Sequence, residues 1–137
     1  MGCIFCKIIN NEIPSIKVYE DDRVFAFLDI NPLNAGHLLV IPKAHAETIH
    51  EISEADFVAV AAATHKLAAA VKKALNPDGI NLMKLNGKAA NQVVPHLHVH
   101  IVPRWSGDGL TVCKWNLVAG DMESIIAVGE KIQKAIE

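Results

Sequence analysis

No apolar run in this sequence approaches the roughly 20 residues that cross a bilayer, and no charged segment leads into a long apolar stretch at its start. These absences argue against a spanning helix and a secretory signal, and the expected location is the cytoplasm. Gly2 follows Met1 as in a myristoylation signal, but Cys6 stands where that signal needs Ser or Thr. Excess charge is also lacking. Thirteen Lys and Arg stand against 15 Asp and Glu, a net charge of -2, so neither nucleic acid nor an anionic membrane is an expected partner. Any anionic ligand must be held locally. Cysteine is scarce and odd in number. Cys3 and Cys6 are separated by two residues, a spacing that favours metal over a disulfide in a reducing compartment, while Cys113 reads as a small packing residue. No internal repeat or low-complexity segment is present.

With 137 residues, 51% of them hydrophobic, the chain has enough apolar material for one domain over residues 1–137 and too little length for two. Lys17 to Glu20 and Arg23 to Leu28 flank Asp21-Asp22 and read as a β-hairpin, with Phe25, Phe27 and Asp29 on one face. A turn-rich stretch at 29–36 leads into a strand at 37–41 closed by Pro42, with His37, Leu39 and Ile41 on a common face. Ser53 with Asp56 resembles a capping box. Behind it Phe57, Val60, Ala61, Thr64, Leu67, Ala68, Val71 and Leu75 recur at helical spacing until Asn76-Pro77-Asp78-Gly79. Residues 80–86 alternate, a loop follows at 87–94, and a final amphipathic helix from about Asp121 is expected to turn Met122, Ile125, Val128, Ile132 and Ile136 inward. The order predicts an α+β domain: an antiparallel sheet of about five strands with one long central helix and a C-terminal helix.

The most informative stretch is His96-Leu97-His98-Val99-His100-Ile101-Val102, which ends at Pro103. Read as a strand, it puts three imidazoles on one face, roughly 7 Å from one to the next. Burying such a row is costly unless each ring has a partner, so the pattern points to a metal, a ligand phosphate or a hydrogen-bond network. Asp and Glu are absent between 87 and 106, which leaves a catalytic metal short of nearby carboxylate ligands. The preceding Asn86-Gly87-Lys88-Ala89-Ala90-Asn91-Gln92 instead offers amide donors suited to phosphate oxygens.

The His-φ-His-φ-His-φ-φ pattern (φ apolar) of residues 96–102 resembles the signature of the histidine triad, or HIT, superfamily. The resemblance extends in order and spacing to Cys3 to Lys7, Asp29 with Pro32, Gly36 to Lys43 with His45, Asn86-Gly87, Gln92 and Pro103-Arg104, covering about residues 3–104. It implies attack on the α-phosphate of a purine nucleoside phosphoramidate or related nucleotide, through a nucleotidyl-histidine intermediate. His98 would be the nucleophile: neutral imidazole attacks phosphorus without prior deprotonation and leaves readily. A main-chain carbonyl bonded to its other ring nitrogen would fix the tautomer.

By the same resemblance, His100 and His37 are supporting catalytic residues, and Asn86 and Gln92 hold phosphate oxygens. Asp29 accepts from the ribose hydroxyls, and Phe5, Ile8, Phe27, Leu28 and Ile30 form the base pocket. Two positions depart from common patterns. Asn91 stands where relatives often carry Gly, and Val93 replaces a hydroxyl residue of one branch, leaving its backbone N–H to serve the substrate. Cys3, Cys6, His45 and His96 correspond to a structural zinc site found in some members, which would consume only the first histidine of the row; no organic cofactor is expected. Members usually pair as homodimers through the long helix and a sheet edge. Two rival readings are a zinc-stabilised nucleotide-binding or adaptor protein with little turnover, and a metallohydrolase with His96, His98 and His100 on one catalytic ion. His50 and His65 read as solvated.

Overall fold

The computed structural model describes residues 2–136. In chain order the elements are α1 (Ile4–Ile9), β1 (Lys17–Glu20), β2 (Val24–Leu28), β3 (Leu38–Pro42), α2 (Glu54–Leu75), β4 (Gly79–Lys84), β5 (Val99–Arg104) and α3 (Met122–Ala135), with a short 3-10 turn at Lys88–Ala90. The strands form one antiparallel sheet in the order β1-β2-β3-β5-β4, as the α+β reading expects. No helix among the described residues is long and apolar enough to cross a membrane.

β2 (VFAFL) and β3 (LLVIP) are almost continuously apolar because both faces of the sheet are covered. On one face Val24, Ala26, Leu38, Val40 and Ile101 pack with Val60, Ala63, Leu67 and Val71 of α2. On the other, Phe25, Phe27, Leu39 and Ile41 pack with Phe5 and Ile8 of α1. α2 begins where the periodicity places it: Ser53 Oγ accepts from the Asp56 amide at 3.1 Å, a cap worth about 1 kcal/mol. It ends at Asn76, whose φ of 48° opens the left-handed turn before Pro77.

Three expectations are corrected. The third strand runs Leu38–Pro42, so His37 precedes it rather than opening it. The histidine strand begins at Val99, not His96, and continues through Pro103. In register Leu97 would face Pro42, which has no N–H for a ladder; the Leu97 amide donates instead to the Ala46 carbonyl at 2.7 Å. Pro103 is tolerated because β3 pairs with β5 only as far as Leu38 opposite Ile101. Finally, α3 forms but does not turn its apolar row inward: Met122 is 64% exposed and Ile132 60%. Both sheet faces are already occupied, which leaves this helix no apolar surface to cover.

Candidate active site and metal centre

The β2–β3 ladder ends with the Asp29 amide donating to the His37 carbonyl at 2.9 Å, which sets Asp29 beside His37. β3 then pairs with β5 so that Leu39 faces His100, while Met83 of β4 flanks His100 on its other side. Three imidazoles from two segments therefore stand in a row, in the order His37, His100, His98, on the face covered by α1.

Their hydrogen bonds assign their protons. A carbonyl can only accept, so His98 Nδ1, 2.6 Å from the His96 carbonyl, carries the hydrogen and Nε2 keeps its lone pair. The Leu33 amide can only donate, so His37 Nδ1, 3.0 Å away, is the acceptor. The neutral His37 ring then carries its proton on Nε2 and donates to His100 Nδ1 at 2.9 Å, which leaves His100 with Nε2–H. Two adjacent rings, 4.9 Å apart between centroids, thus present opposite characters: a lone pair on His98 and an N–H on His100. Burial lowers the pKa values of His37 and His98 and pushes His100 down to about 4, with the neighbouring His98 and His37 adding to the effect on His100. All three are neutral at pH 7.

His98 and His100 border a cavity of about 450 Å³, within the range of small-molecule sites. Phe5, Ile8, Phe27, Leu28, Asp29, Ile30, Val93, His98 and His100 all line it. The remaining wall includes Ile13, Leu39 and Val94, which were not anticipated from the sequence. Phe5 packs edge-on against His98 with ring centroids 5.2 Å apart. Asp29 uses Oδ1 to accept from the Asn31 amide at 2.8 Å and places Oδ2 3.8 Å from His37 Nε2.

Asn86 and Gln92 lie outside this lining. Asn86 Oδ1 accepts from the Ile49 amide at 2.8 Å. Gln92 Oε1 accepts from the Gly87 amide, and its Nε2 donates to the Glu47 and Val94 carbonyls. Both amides thus shape the 86–94 loop. Asn91 adopts φ 67°, a left-handed conformation that Gly takes freely and Asn tolerates better than most residues.

His96 faces away from the cleft. Its Nε2 donates to the Pro42 carbonyl at 2.9 Å, so its Nδ1 lone pair points into a cluster with Cys3, Cys6 and His45. His96 Nδ1 lies 3.3 Å from Cys3 Sγ, 3.6 Å from Cys6 Sγ and 3.2 Å from His45 Nδ1; Cys6 Sγ to His45 Nδ1 is 3.5 Å. A tetrahedral ion with bonds of about 2.05 Å to nitrogen and 2.3 Å to sulfur requires edges of about 3.3 Å between nitrogens and about 3.5 Å between nitrogen and sulfur. The donor set fits, and the Pro42 carbonyl is the outer partner that orients a ligating imidazole. Burial, reinforced by Cys3, pushes the Cys6 thiol up to about 11, so a bound cation would have to displace protons from the pair. His50 and His65 are exposed as expected, but Cys113 is exposed too, so it is not the packing residue the sequence suggests.

A family model described as HIT domain matches residues 10–107. The chain is 41% identical to the adenosine 5'-monophosphoramidase hnt1 of Schizosaccharomyces pombe, over all of both chains. Among solved structures, a HIT family member from Bacillus subtilis superposes with a TM-score of 0.94 at 40% identity, covering 100% of this chain and 99% of that one. A zinc-bound histidine triad protein from Mycobacterium smegmatis superposes with a TM-score of 0.78 at 35% identity, covering 99% of each.

Proposed function

The chain belongs to the HIT family, and from that membership and the proton assignment in the cleft we propose that it hydrolyses purine nucleoside phosphoramidates or related nucleotides at the α-phosphate, through a nucleotidyl intermediate on His98. The observation that carries this reading is the His98 tautomer: a neutral imidazole with its Nε2 lone pair directed to an apolar cleft that has one carboxylate at its rim. The base fits against Phe5, Ile8, Phe27, Leu28 and Ile30, and Asp29 Oδ2 accepts from the ribose hydroxyls.

In the first step His98 Nε2 bonds to phosphorus and the bond to the leaving group breaks. His100 Nε2–H donates a hydrogen bond to the leaving nitrogen or a phosphoryl oxygen, with His37 holding His100 from behind, and an amine leaving group takes its proton from water. In the second step water attacks phosphorus and gives up one proton to solvent, the bond to Nε2 breaks and neutral His98 is restored. Val93 contributes its backbone N–H to the phosphate, and Asn86 and Gln92 act by holding the loop that presents it. Cys3, Cys6, His45 and His96 hold a zinc ion in a closed four-ligand site without a catalytic part. Release of AMP from adenosine 5'-phosphoramidate tests the proposal. Turnover is expected; saturable nucleotide binding without turnover would turn the reading to a binding or adaptor protein.

The depressed histidines give the pH dependence a sign. A ring whose pKa is lowered stays neutral to lower pH, so the acid limb of kcat/KM should lie below the ordinary imidazole range, with His100 itself titrating only at about 4. Protonating His100 puts a second hydrogen where His37 Nε2–H points. Fold stability should decline as pH drops from about 6.5 toward 4, because unfolded imidazoles take protons that the buried ones refuse. An acid limb centred at or above pH 6.5 would contradict the assignment.

The same reading includes a homodimer. Val58 of α2 and Leu82 of edge strand β4 are both more than half exposed, as is most of the apolar row of α3; such surface favours burial against a second copy. Light scattering should return twice the monomer mass, and a monomer at micromolar concentration would refute it.

A further inference from the structure

The proton assignment in the cleft depends on one backbone amide, that of Leu33, and the loop carrying it is anchored from outside the site. Asn34 Nδ2 donates to the Pro103 carbonyl at 3.0 Å and to Asp108 Oδ2 at 2.9 Å. Asp108 also accepts from Arg104 Nε at 2.8 Å and Nη2 at 2.9 Å, and from the Trp105 and Leu110 amides at 3.1 and 3.0 Å. Five donors thus converge on one carboxylate, and the Arg104 guanidinium holds it well below the usual carboxylate range. At the other end, the Asn34 carbonyl accepts from the His37 amide at 3.2 Å. Gly36, at φ 83°, makes the turn between them where a Cβ would run into Leu75.

We infer that Asn34, held by Asp108, is a positioning residue that selects the tautomers of His37 and His100 by keeping the Leu33 amide on His37 Nδ1. No other hydrogen bond among the described residues makes that choice; the Asp29 carboxylate favours a proton on His37 Nε2 only through its charge. Asp29 Oδ2, 3.8 Å from His37 Nε2, is beyond hydrogen-bond distance. With the Leu33 donor displaced, a neutral His37 ring is free to carry its proton on Nδ1; Nε2 then offers a lone pair to His100 Nδ1, and His100 loses the donor that keeps its own proton on Nε2. His98 is fixed separately by the His96 carbonyl, so the effect is confined to one of the two rings that meet substrate. The catalytic part of this inference rests on the proposed hydrolysis; the tautomer part does not.

Asn34→Ala and the near-isosteric Asn34→Leu, which cannot donate, remove the anchor and leave Asp108 its four other donors. Nitrogen-15 NMR of the imidazoles reads the tautomers directly, and kinetics with adenosine 5'-phosphoramidate read the consequence. In the wild type His37 and His100 should both be Nε2–H. In the two variants His37 should become a mixture while His98 stays Nδ1–H, and kcat should fall by on the order of 10- to 100-fold with KM changed less than threefold. Unchanged His37 and His100 signals in both variants would overturn the inference, as would a wild-type His37 protonated on Nδ1. A tautomer shift in a protein that shows no turnover would uphold the positioning role and refute the hydrolase reading instead.

Discussion

Replacing His98 with alanine is expected to lower turnover of adenosine 5'-phosphoramidate by on the order of 10⁴-fold, about 5 kcal/mol of transition-state stabilisation, while nucleotide affinity stays within a few-fold. The contrast follows from what each group does. On the proposed reading, binding is spread over the apolar wall and Asp29, and His98 is one of many residues lining the cleft. The covalent step depends on one lone pair that no other side chain supplies: His100 Nε2 carries a hydrogen in the assigned tautomer, and His96 Nδ1 faces the cysteines. Truncating a buried ring that packs on Phe5 leaves a small cavity and costs about 1–3 kcal/mol of stability. His98→Gln, which keeps more of the volume, should therefore fold better and be equally inactive. Turnover surviving in either variant would remove His98 as the nucleophile.

Chelation is expected to act on the fold first. α1 has six residues, too few to be stable as a helix alone. It is held by Phe5 and Ile8 in the apolar cluster and by Cys3 and Cys6 beside His96. Zinc at a hundredfold its dissociation constant adds about 2.7 kcal/mol. With an unfolding entropy of about 2.1 cal/mol/K per residue, that is about 9 °C in Tm for 137 residues. Removing the ion should lower Tm by about that much. It should also raise KM more than it lowers kcat, because Phe5 and Ile8 wall the cleft from α1. Zinc should restore both together. Abolished turnover at unchanged Tm would instead support a catalytic ion.

The hairpin at residues 17–28 and the long helix were readable from the sequence because alternation, 3.6-residue spacing and the Ser53 cap are local signals. The cysteine and histidine spacings were equally readable, and the structure brings Cys3, Cys6, His45 and His96 within ligand distance of one another. What escaped depends on contacts distant in sequence. α1 is too short for periodicity to show, although Phe5 and Ile8 one turn apart are its trace. That His96 precedes the strand follows from Pro42, which lies 54 residues away. The outward row of α3 is a property of what the sheet has already covered, which the pattern of that helix alone does not contain. The choice of tautomers needed the Leu33 amide and the His96 carbonyl, main-chain groups that no residue type announces.

The most direct measurement is intact-mass and peptide mass spectrometry of the protein quenched during turnover of adenosine 5'-phosphoramidate, beside His98→Ala. The account predicts an adenylyl adduct on the peptide containing His98, formed and discharged at rates that match AMP release, and absent from the variant. Rapid AMP release without any adduct at steady state or in single turnover, or an adduct on another residue, would contradict it.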